Sequence, residues 1–180
     1  MEANLNIRFI TGDESELEEV VDTYGEKLLR YATSILGSYQ DAEDVVQGVF
    51  LIAYQKRGTF DGKNLSAWLY KITYRHCLNQ LKKSKVLFLA EVGNVSMGTV
   101  DPFAEAAISD GLLTALGRLA IKERALLFGR IMDGQSYEEL SQILGPSPAA
   151  LRKQYERAKQ KLAAYLKAEG IDGKEISNGY

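Results

Sequence analysis

Proline occurs only at positions 102, 146 and 148 of this 180-residue chain, so nothing in its first hundred residues forbids long helices. The apolar residues there recur at helical spacing. Leu17, Val20, Val21, Tyr24, Leu28, Tyr31, Ala32 and Ile35 fall on one side of a 3.6-residue period. Ser15 followed by Glu18 has the pattern of a capping box, which starts this helix near Glu16. Gly25 is a candidate kink and Gly37 a C-terminal stop. Ser38 can cap a second helix, with Asp41 at its third position. Ala42, Val45, Val46, Val49, Ile52 and Ala53 lie on one face of it, and Glu43, Asp44, Gln47, Leu51 and Gln55 lie elsewhere. That helix is predicted to end near Arg57, followed by a loop from Gly58 to Asn64. A third helix is predicted from Leu65 to Lys83, with Trp68, Leu69, Ile72, Leu78 and Leu81 inward.

The character of the chain changes after Lys85. Gly93, Asn94, Ser96, Gly98 and Thr99 mark a connecting segment, interrupted by the apolar run Val86 to Ala90. Helices are predicted again at 103–119, 122–132, 137–144 and 148–167, with a turn at Asp133-Gly134. No stretch of alternating pattern is long enough to support a sheet. The expected fold is all-α, with two small helical domains at 1–85 and 111–180 and a linker at 86–110.

The formal net charge of −2 conceals a segregation of sign. The stretch Asp13 to Glu26 is acidic without a single Lys or Arg. The stretch Gly62 to Ala90 carries Lys63, Lys71, Arg75, Lys82, Lys83 and Lys85 without an acid. From Ala149 to Lys167, Glu156 is the only acid among Arg152, Lys153, Arg157, Lys159, Lys161 and Lys167. Local fields of this kind can hold phosphates, although solvated basic helices are also common. The one cysteine, Cys77, cannot form an internal disulfide, and its neighbour His76 points to a different helix face. A shared metal site is therefore not expected, nor is any cofactor. There is no phosphate-binding Gly-Lys-Ser/Thr loop and no His-Glu-x-x-His, so an enzyme is not expected. The N-terminus lacks a secretory pattern, and no apolar run approaches the roughly 20 residues of a bilayer span; a soluble cytoplasmic protein is the expectation.

The segment Ser136 to Leu166 reads as a helix-turn-helix. Ser136 and Glu139 form a capping box for a short helix with Tyr137, Leu140, Ile143 and Leu144 inward, and Gly145 ends it. Ser147 caps the next helix, and Pro148 suits its first position because no N–H is needed there. On that basic helix Leu151, Tyr155, Ala158, Leu162 and Tyr165 point inward. Ala149, Lys153, Glu156 and Gln160 point outward, flanked by Arg152 and Arg157. A major groove calls for small residues, donors to guanine or phosphate, and an acceptor for cytosine. Ala149 and Ala150 allow close approach, Arg152, Lys153 and Arg157 donate, Glu156 accepts, and the helix start at Ser147 can hold a phosphate. The alternative is an amphipathic helix with a solvated basic face.

Three segments in order resemble a known family. Asp41-Ala42-Glu43-Asp44-Val45-Val46-Gln47 with Phe50 resembles the region-two helix of bacterial sigma factors, and Phe60-Asp61-Gly62-Lys63-Asn64-Leu65-Ser66-Ala67-Trp68-Leu69-Tyr70-Lys71-Ile72 resembles the loop and helix that follow. Gly134 to Leu140 and Arg157-Ala158-Lys159 resemble region four. A short chain with only these regions is similar to the extracytoplasmic-function group of the sigma-70 family. The resemblance implies a transcription initiation factor whose partners are core RNA polymerase (clamp helices of the largest subunit, flap of the second), promoter DNA and an anti-sigma factor. It places Asp41, Asp44, Gln47 and Leu51 on the clamp helices, and carboxylates outside an apolar face do suit a basic partner. It places the −10 non-template strand on Phe60, Gly62, Lys63, Asn64, Lys71, Arg75 and Lys82, and the −35 duplex on the helix-turn-helix. The runner-up reading is a conventional helix-turn-helix regulator that binds duplex DNA without conferring initiation. Such a regulator has no need of the first unit. Trp68 reads as a core residue rather than a stacking one. The chain departs from the family at Gly48, where an acid is usual, at a cost of roughly 1 kcal/mol in helix propensity. It departs also at Arg75, at Ala120, and at Ala150, Lys153 and Gln154 of the recognition helix.

Overall fold

A computed structural model describes residues 2–12, 14–90, 110–168 and 170. They are helical, with no strand among them. The chain divides into two compact units, Met1–Val100 and Asp101–Tyr180.

The first unit holds α1 (Glu2–Thr11), α2 (Glu14–Leu36), α3 (Tyr39–Lys56), a short 3-10 turn (Arg57–Thr59) and α4 (Leu65–Ala90). Helices α2, α3 and α4 pack on one another, and α1 lies against α2 and the 3-10 turn. The core between them is rich in aromatic rings. Tyr24, Leu28, Tyr31 and Ile35 come from α2, and Val46, Val49 and Phe50 from α3. Tyr31 and Tyr70 meet edge to face, with ring centroids 4.9 Å apart.

Several expected helix ends are observed. Gly37 adopts φ 69° and donates to the Thr33 carbonyl at 2.8 Å, closing α2. The Ser38 hydroxyl accepts from the Asp41 N–H at 3.3 Å, opening α3. Other expectations fail. Helix α2 begins at Glu14, ahead of the start expected near Glu16, so Ser15 lies inside it, with its hydroxyl 3.2 Å from the Glu16 carboxylate. Gly25 lies within an uninterrupted α2. Helix α4 does not stop near Lys83 but runs to Ala90, taking in the apolar stretch 86–90 assigned to the linker. The rest of that linker, and the start of the helix expected at 103, lie outside the described residues.

The inward stripe of α4 is also rotated from expectation. Leu65, Leu69, Tyr70, Thr73, Tyr74 and Cys77 are buried, whereas Trp68, Ile72, Leu78 and Leu81 are half-buried. Tyr70, Thr73 and Tyr74 carry polar groups and fall outside the expected stripe, yet here they supply part of the core. The Thr73 hydroxyl is satisfied by donating to the Leu69 carbonyl at 3.0 Å. Cys77 is a core residue, and burial pushes its thiol up to about 12.

The second unit holds α5 (Asp110–Gly117), α6 (Ile121–Ile131), α7 (Tyr137–Leu144) and α8 (Pro148–Ala168). Helix α8 packs on the other three. Leu119, Leu127 and Ala158 form a buried cluster with Leu116, Tyr155, Leu162 and Tyr165 against it. Ala120 precedes α6 and has no side-chain acceptor, so only half a cap is present: the Glu123 carboxylate accepts from the Ala120 N–H at 3.0 Å. The same carboxylate takes a hydrogen bond from Lys161 of α8 at 2.6 Å, which holds Glu123 below the usual carboxylate range.

Candidate functional site

In the first unit two faces of opposite charge are built on adjacent helices. On α3, Ala42, Val45, Val46, Val49, Phe50 and Ala53 are buried, which turns Asp44, Gln47 and Leu51 outward in a row. Leu51 is 62% exposed, an isolated apolar side chain among polar neighbours. Asp41 heads the row but is half-buried, and its Oδ1 accepts a hydrogen bond from Gln80 Nε2 of α4 at 3.4 Å. Gly48 lies beside this row. A Cβ built there meets nothing within 4 Å, so no packing constraint requires glycine.

On α4, Lys71, Arg75 and Lys82 share a face by their four- and seven-residue spacing; Arg75 and Lys82 are exposed and Lys71 is half-buried. An open groove of about 480 Å³ runs between the acidic and basic faces, lined by Asp44, Val45, Gly48, His76, Asn79, Gln80, Lys82 and Lys83. His76 is held below its ordinary range, first by burial and then by the positive charges of Lys56 and Lys83.

The loop between the 3-10 turn and α4 is fixed from several sides. Phe60 is 5% exposed, with its ring 5.3 Å from that of Trp68. It therefore supports the loop from beneath and offers no open ring face. Asn64 acts as a cap: its Oδ1 accepts from the Ala67 N–H at 2.8 Å. Gly62 adopts φ 77°, and a Cβ there would lie 3.3 Å from Ile10 of α1. Asn6 of α1 donates to the Lys63 carbonyl at 2.9 Å, and Phe9 of α1 meets Trp68 edge to face at 6.3 Å. Lys63 is exposed at the tip. Sequence reasoning missed α1 entirely. Its one signal was Leu5 and Phe9 at helical spacing, both of them buried. Trp68 is packed between two aromatic rings but is half-buried, so it falls short of the core position expected of it.

In the second unit the turn chemistry matches the sequence closely. The Ser136 hydroxyl accepts from the Glu139 N–H at 3.1 Å, and the Glu139 carboxylate accepts from the Ser136 N–H at 2.8 Å. Gly145 ends α7 at φ 98°. The Ser147 hydroxyl accepts from the Ala150 N–H at 3.3 Å at the start of α8. Ser147, Ala149, Arg152, Lys153, Glu156 and Arg157 are all exposed, with Ala150 half-buried between them. Glu156 is paired with Lys159 at 3.3 Å. Both groups are about half exposed, so this pair is worth at most about 1 kcal/mol and yields readily to a better donor. Arg130 and Tyr137, which sequence reasoning did not select, stand next to this surface. The Arg130 guanidinium donates to the Gln135 carbonyl at 2.6 Å and lies 4.9 Å from the centre of the Tyr137 ring.

Comparison with known proteins agrees with this geometry. Residues 20–86 match the sigma-70 region 2 family and residues 109–162 match sigma-70 region 4. The chain is 26% identical to the ECF RNA polymerase sigma factor SigM of Mycobacterium tuberculosis over 166 residues, covering 92% of this chain and 84% of that protein. It is 24% identical to SigW of Bacillus subtilis over 171 residues, covering 87% of this chain and 91% of SigW. Among solved structures it is similar to CnrH in complex with the cytosolic domain of CnrY, with TM-score 0.71 and 25% identity over 93% of this chain and 97% of that one. It is also similar to the sigma factor RpoE of Bartonella quintana in complex with the anti-sigma factor NepR, with TM-score 0.73 and 25% identity over 83% of this chain and 96% of that one. With regions 2 and 4 both present, in order and on separate units, this chain belongs to the sigma-70 family and to its extracytoplasmic-function group.

Proposed function

We propose that this protein is a transcription initiation factor that binds core RNA polymerase, brings it to particular promoters and has no catalytic site of its own. The observation that carries this reading is the first unit, where an exposed row led by the Asp44 carboxylate (Asp44, Gln47, Leu51) stands one helix away from a basic row (Lys71, Arg75, Lys82). A regulator that only binds duplex DNA through α7 and α8 would need neither row. Asp41, Asp44, Gln47 and Leu51 dock on the clamp helices of the polymerase largest subunit, with charge complementarity setting the encounter and Leu51 the buried contact. The second unit meets the flap of the second subunit.

Lys63, Lys71, Arg75 and Lys82 hold phosphates of the −10 non-template strand, and Gly62 lets the loop tip approach the backbone. Phe60 and Asn64 contribute by shaping that loop. Ser147, Ala149, Ala150, Arg152, Lys153, Glu156 and Arg157 face the −35 duplex. An inhibitory protein that covers these surfaces is a further partner, by likeness to the CnrH–CnrY and RpoE–NepR complexes. None of the described helices is long and apolar enough to cross a membrane, which agrees with action on cytoplasmic DNA.

Run-off transcription with purified core polymerase and a library of promoter fragments tests the reading. Transcripts that depend on this chain are expected from a subset of fragments. Association with core without any promoter-dependent transcript would overturn the initiation role, and failure to associate would overturn the docking assignment.

A further inference from the structure

Lys63, at the exposed tip of the loop before α4, has both of its backbone polar groups tied down. Its N–H donates to the Asp61 carboxylate at 3.1 Å, a turn made within the loop itself. Its carbonyl accepts from Asn6 Nδ2 at 2.9 Å, a bond that comes from α1, 57 residues away in the chain. Asn6 is buried, although asparagine is mostly a surface residue. With one polar group held on each side, the direction in which the Lys63 side chain leaves the backbone is set before any ligand arrives. Two apolar contacts keep α1 in place for this. Phe9 is buried and meets Trp68 edge to face at 6.3 Å, and Ile10 closes on Gly62, where a Cβ would lie 3.3 Å from it.

The far side of α1 is anchored to α2. Gly12 donates to the Arg8 carbonyl at 2.7 Å, and a Cβ on Gly12 would fall 2.6 Å from that oxygen, so this corner needs glycine. Arg8 pairs with Glu19 and lies 3.5 Å from Glu16. Those ion pairs are at the surface, where solvent screens them. The hydrogen bond to Lys63 is partly buried, and a carbonyl left there without its donor is costlier than a broken surface pair. Helix α1 lies ahead of residues 20–86, the part matched to region 2, and its contacts nonetheless converge on the loop assigned to the strand.

We propose that Asn6 is a positioning residue for strand capture: through the Lys63 carbonyl it holds the loop tip, and with it the Lys63 ammonium, where a phosphate of the unpaired −10 strand binds. Helix α1 is then part of the strand-opening surface as well as a cover for the core. This rests on the reading of the first unit as the −10 strand site, and it deepens that reading by naming what makes the loop ready. An unpaired strand is flexible, and a loop that had to order itself on contact would lose part of the binding energy to its own ordering. A tip fixed on both sides in advance avoids that loss. Asn6 acts only through residue 63.

The test uses the full chain bound to core polymerase on a promoter fragment recovered by run-off transcription, with the −10 segment either paired or held open by mismatches. Affinity for the open form is measured by fluorescence anisotropy across a potassium chloride series, and opening of the paired form by permanganate reactivity of thymines within it. Circular-dichroism melting confirms folding, and each variant is measured below its transition. Asn6→Leu removes the donor and keeps the side-chain volume; Asn6→Ala removes both. Each should weaken binding to the open fragment and slow opening of the paired one by about two- to tenfold, with core association and duplex binding unchanged. A loss seen only with alanine would make volume the cause and overturn the positioning role, as would no loss with either. Lys63→Ala should weaken binding to the open fragment and lower the salt slope by about 0.7, one single-strand phosphate. Adding Asn6→Leu to Lys63→Ala should bring no further loss, and full additivity would mean that Asn6 serves stability alone and would overturn the proposal. Arg8→Ala loosens α1 only at its exposed side and should behave like the unmodified chain; a loss equal to that of Asn6→Leu would overturn the assignment to Asn6. If Lys63→Ala has no effect while transcripts still depend on the chain, this inference fails and the initiation role stands. If no fragment yields a chain-dependent transcript, the initiation reading fails and takes this inference with it.

Discussion

The two units reach a defined helical fold by different means. In the second, short helices are specified at their ends. Ser136 with Glu139, Gly145 at φ 98° and Ser147 each fix a boundary through bonds between neighbours in sequence. Its core is mostly small or aliphatic, with Ala115, Ala125, Leu126, Leu140, Leu151 and Ala158 fully buried. In the first, α2 and α4 span 23 and 26 residues and are specified along their lengths, by aromatic side chains that meet across helices. Tyr31 on Tyr70 and Phe9 on Trp68 are such pairs. The contrast matches the tasks proposed for each. A duplex reader needs one helix at a set angle to another, which caps and a tight turn provide. A unit that presents opposite charges on neighbouring faces needs a stiff core between them.

The comparison breaks first if the units do not fold separately. Leu28 is fully buried in the first unit. Leu28→Ala should cost about 2–5 kcal/mol there, seen as a lowered first transition in thermal denaturation, with duplex binding by the second unit unchanged at low temperature. Loss of both together would mean the units are one cooperative body.

The charge division gives the next largest effect. Asp44→Lys should reduce affinity for core polymerase by about tenfold, near 1.4 kcal/mol, in a pull-down or titration, with duplex binding unaffected. A comparable loss of both activities would contradict two separable surfaces. The importance of local capping can then be measured by Ser136→Ala. Removing the hydroxyl that accepts from Glu139 should cost about 1 kcal/mol in the second unit's transition and leave core binding intact.

The smallest effect concerns pH. His76 in the folded chain binds its proton less readily than an exposed imidazole, because of burial and then Lys56 and Lys83. The unfolded chain therefore takes up more protons below the ordinary imidazole range, and stability falls as pH drops through that range and is level above it. His76→Gln should flatten this slope between pH 7 and pH 5 in denaturant titrations (a span set by the roughly 6.5 reference value). An unchanged slope would remove His76 as its source.

Much of this was legible without coordinates, for identifiable reasons. The inward face of α3 was read correctly for Ala42, Val45, Val46, Val49 and Ala53, because Val and Ala there admit only one amphipathic interpretation. The outward placement of Asp44, Gln47 and Leu51 follows from it. The helix-turn-helix was legible because capping is chemistry between residues three apart. Helix α4 was misread in its rotation because Tyr70, Thr73 and Tyr74 are ambiguous in a hydrophobic pattern and only their neighbours decide where they point. Phe60 and Asn64 were read only as strand contacts, whereas Phe60 is packed against Trp68 and the carbonyl oxygen of Asn64 caps α4. No local signal distinguishes those roles.

The amino-acid sequence alone determined the class of fold, the positions of most helices, the segregation of charge and the turn of the helix-turn-helix, because each depends on residues within a few positions of one another. Only the tertiary structure decided that α1 buttresses the loop through Asn6 and Phe9, that the core of the first unit is aromatic, and that Arg130 and Arg152 share Tyr137. Those contacts join residues far apart in the chain, and they exist only after the helices have packed and chosen which faces to hide.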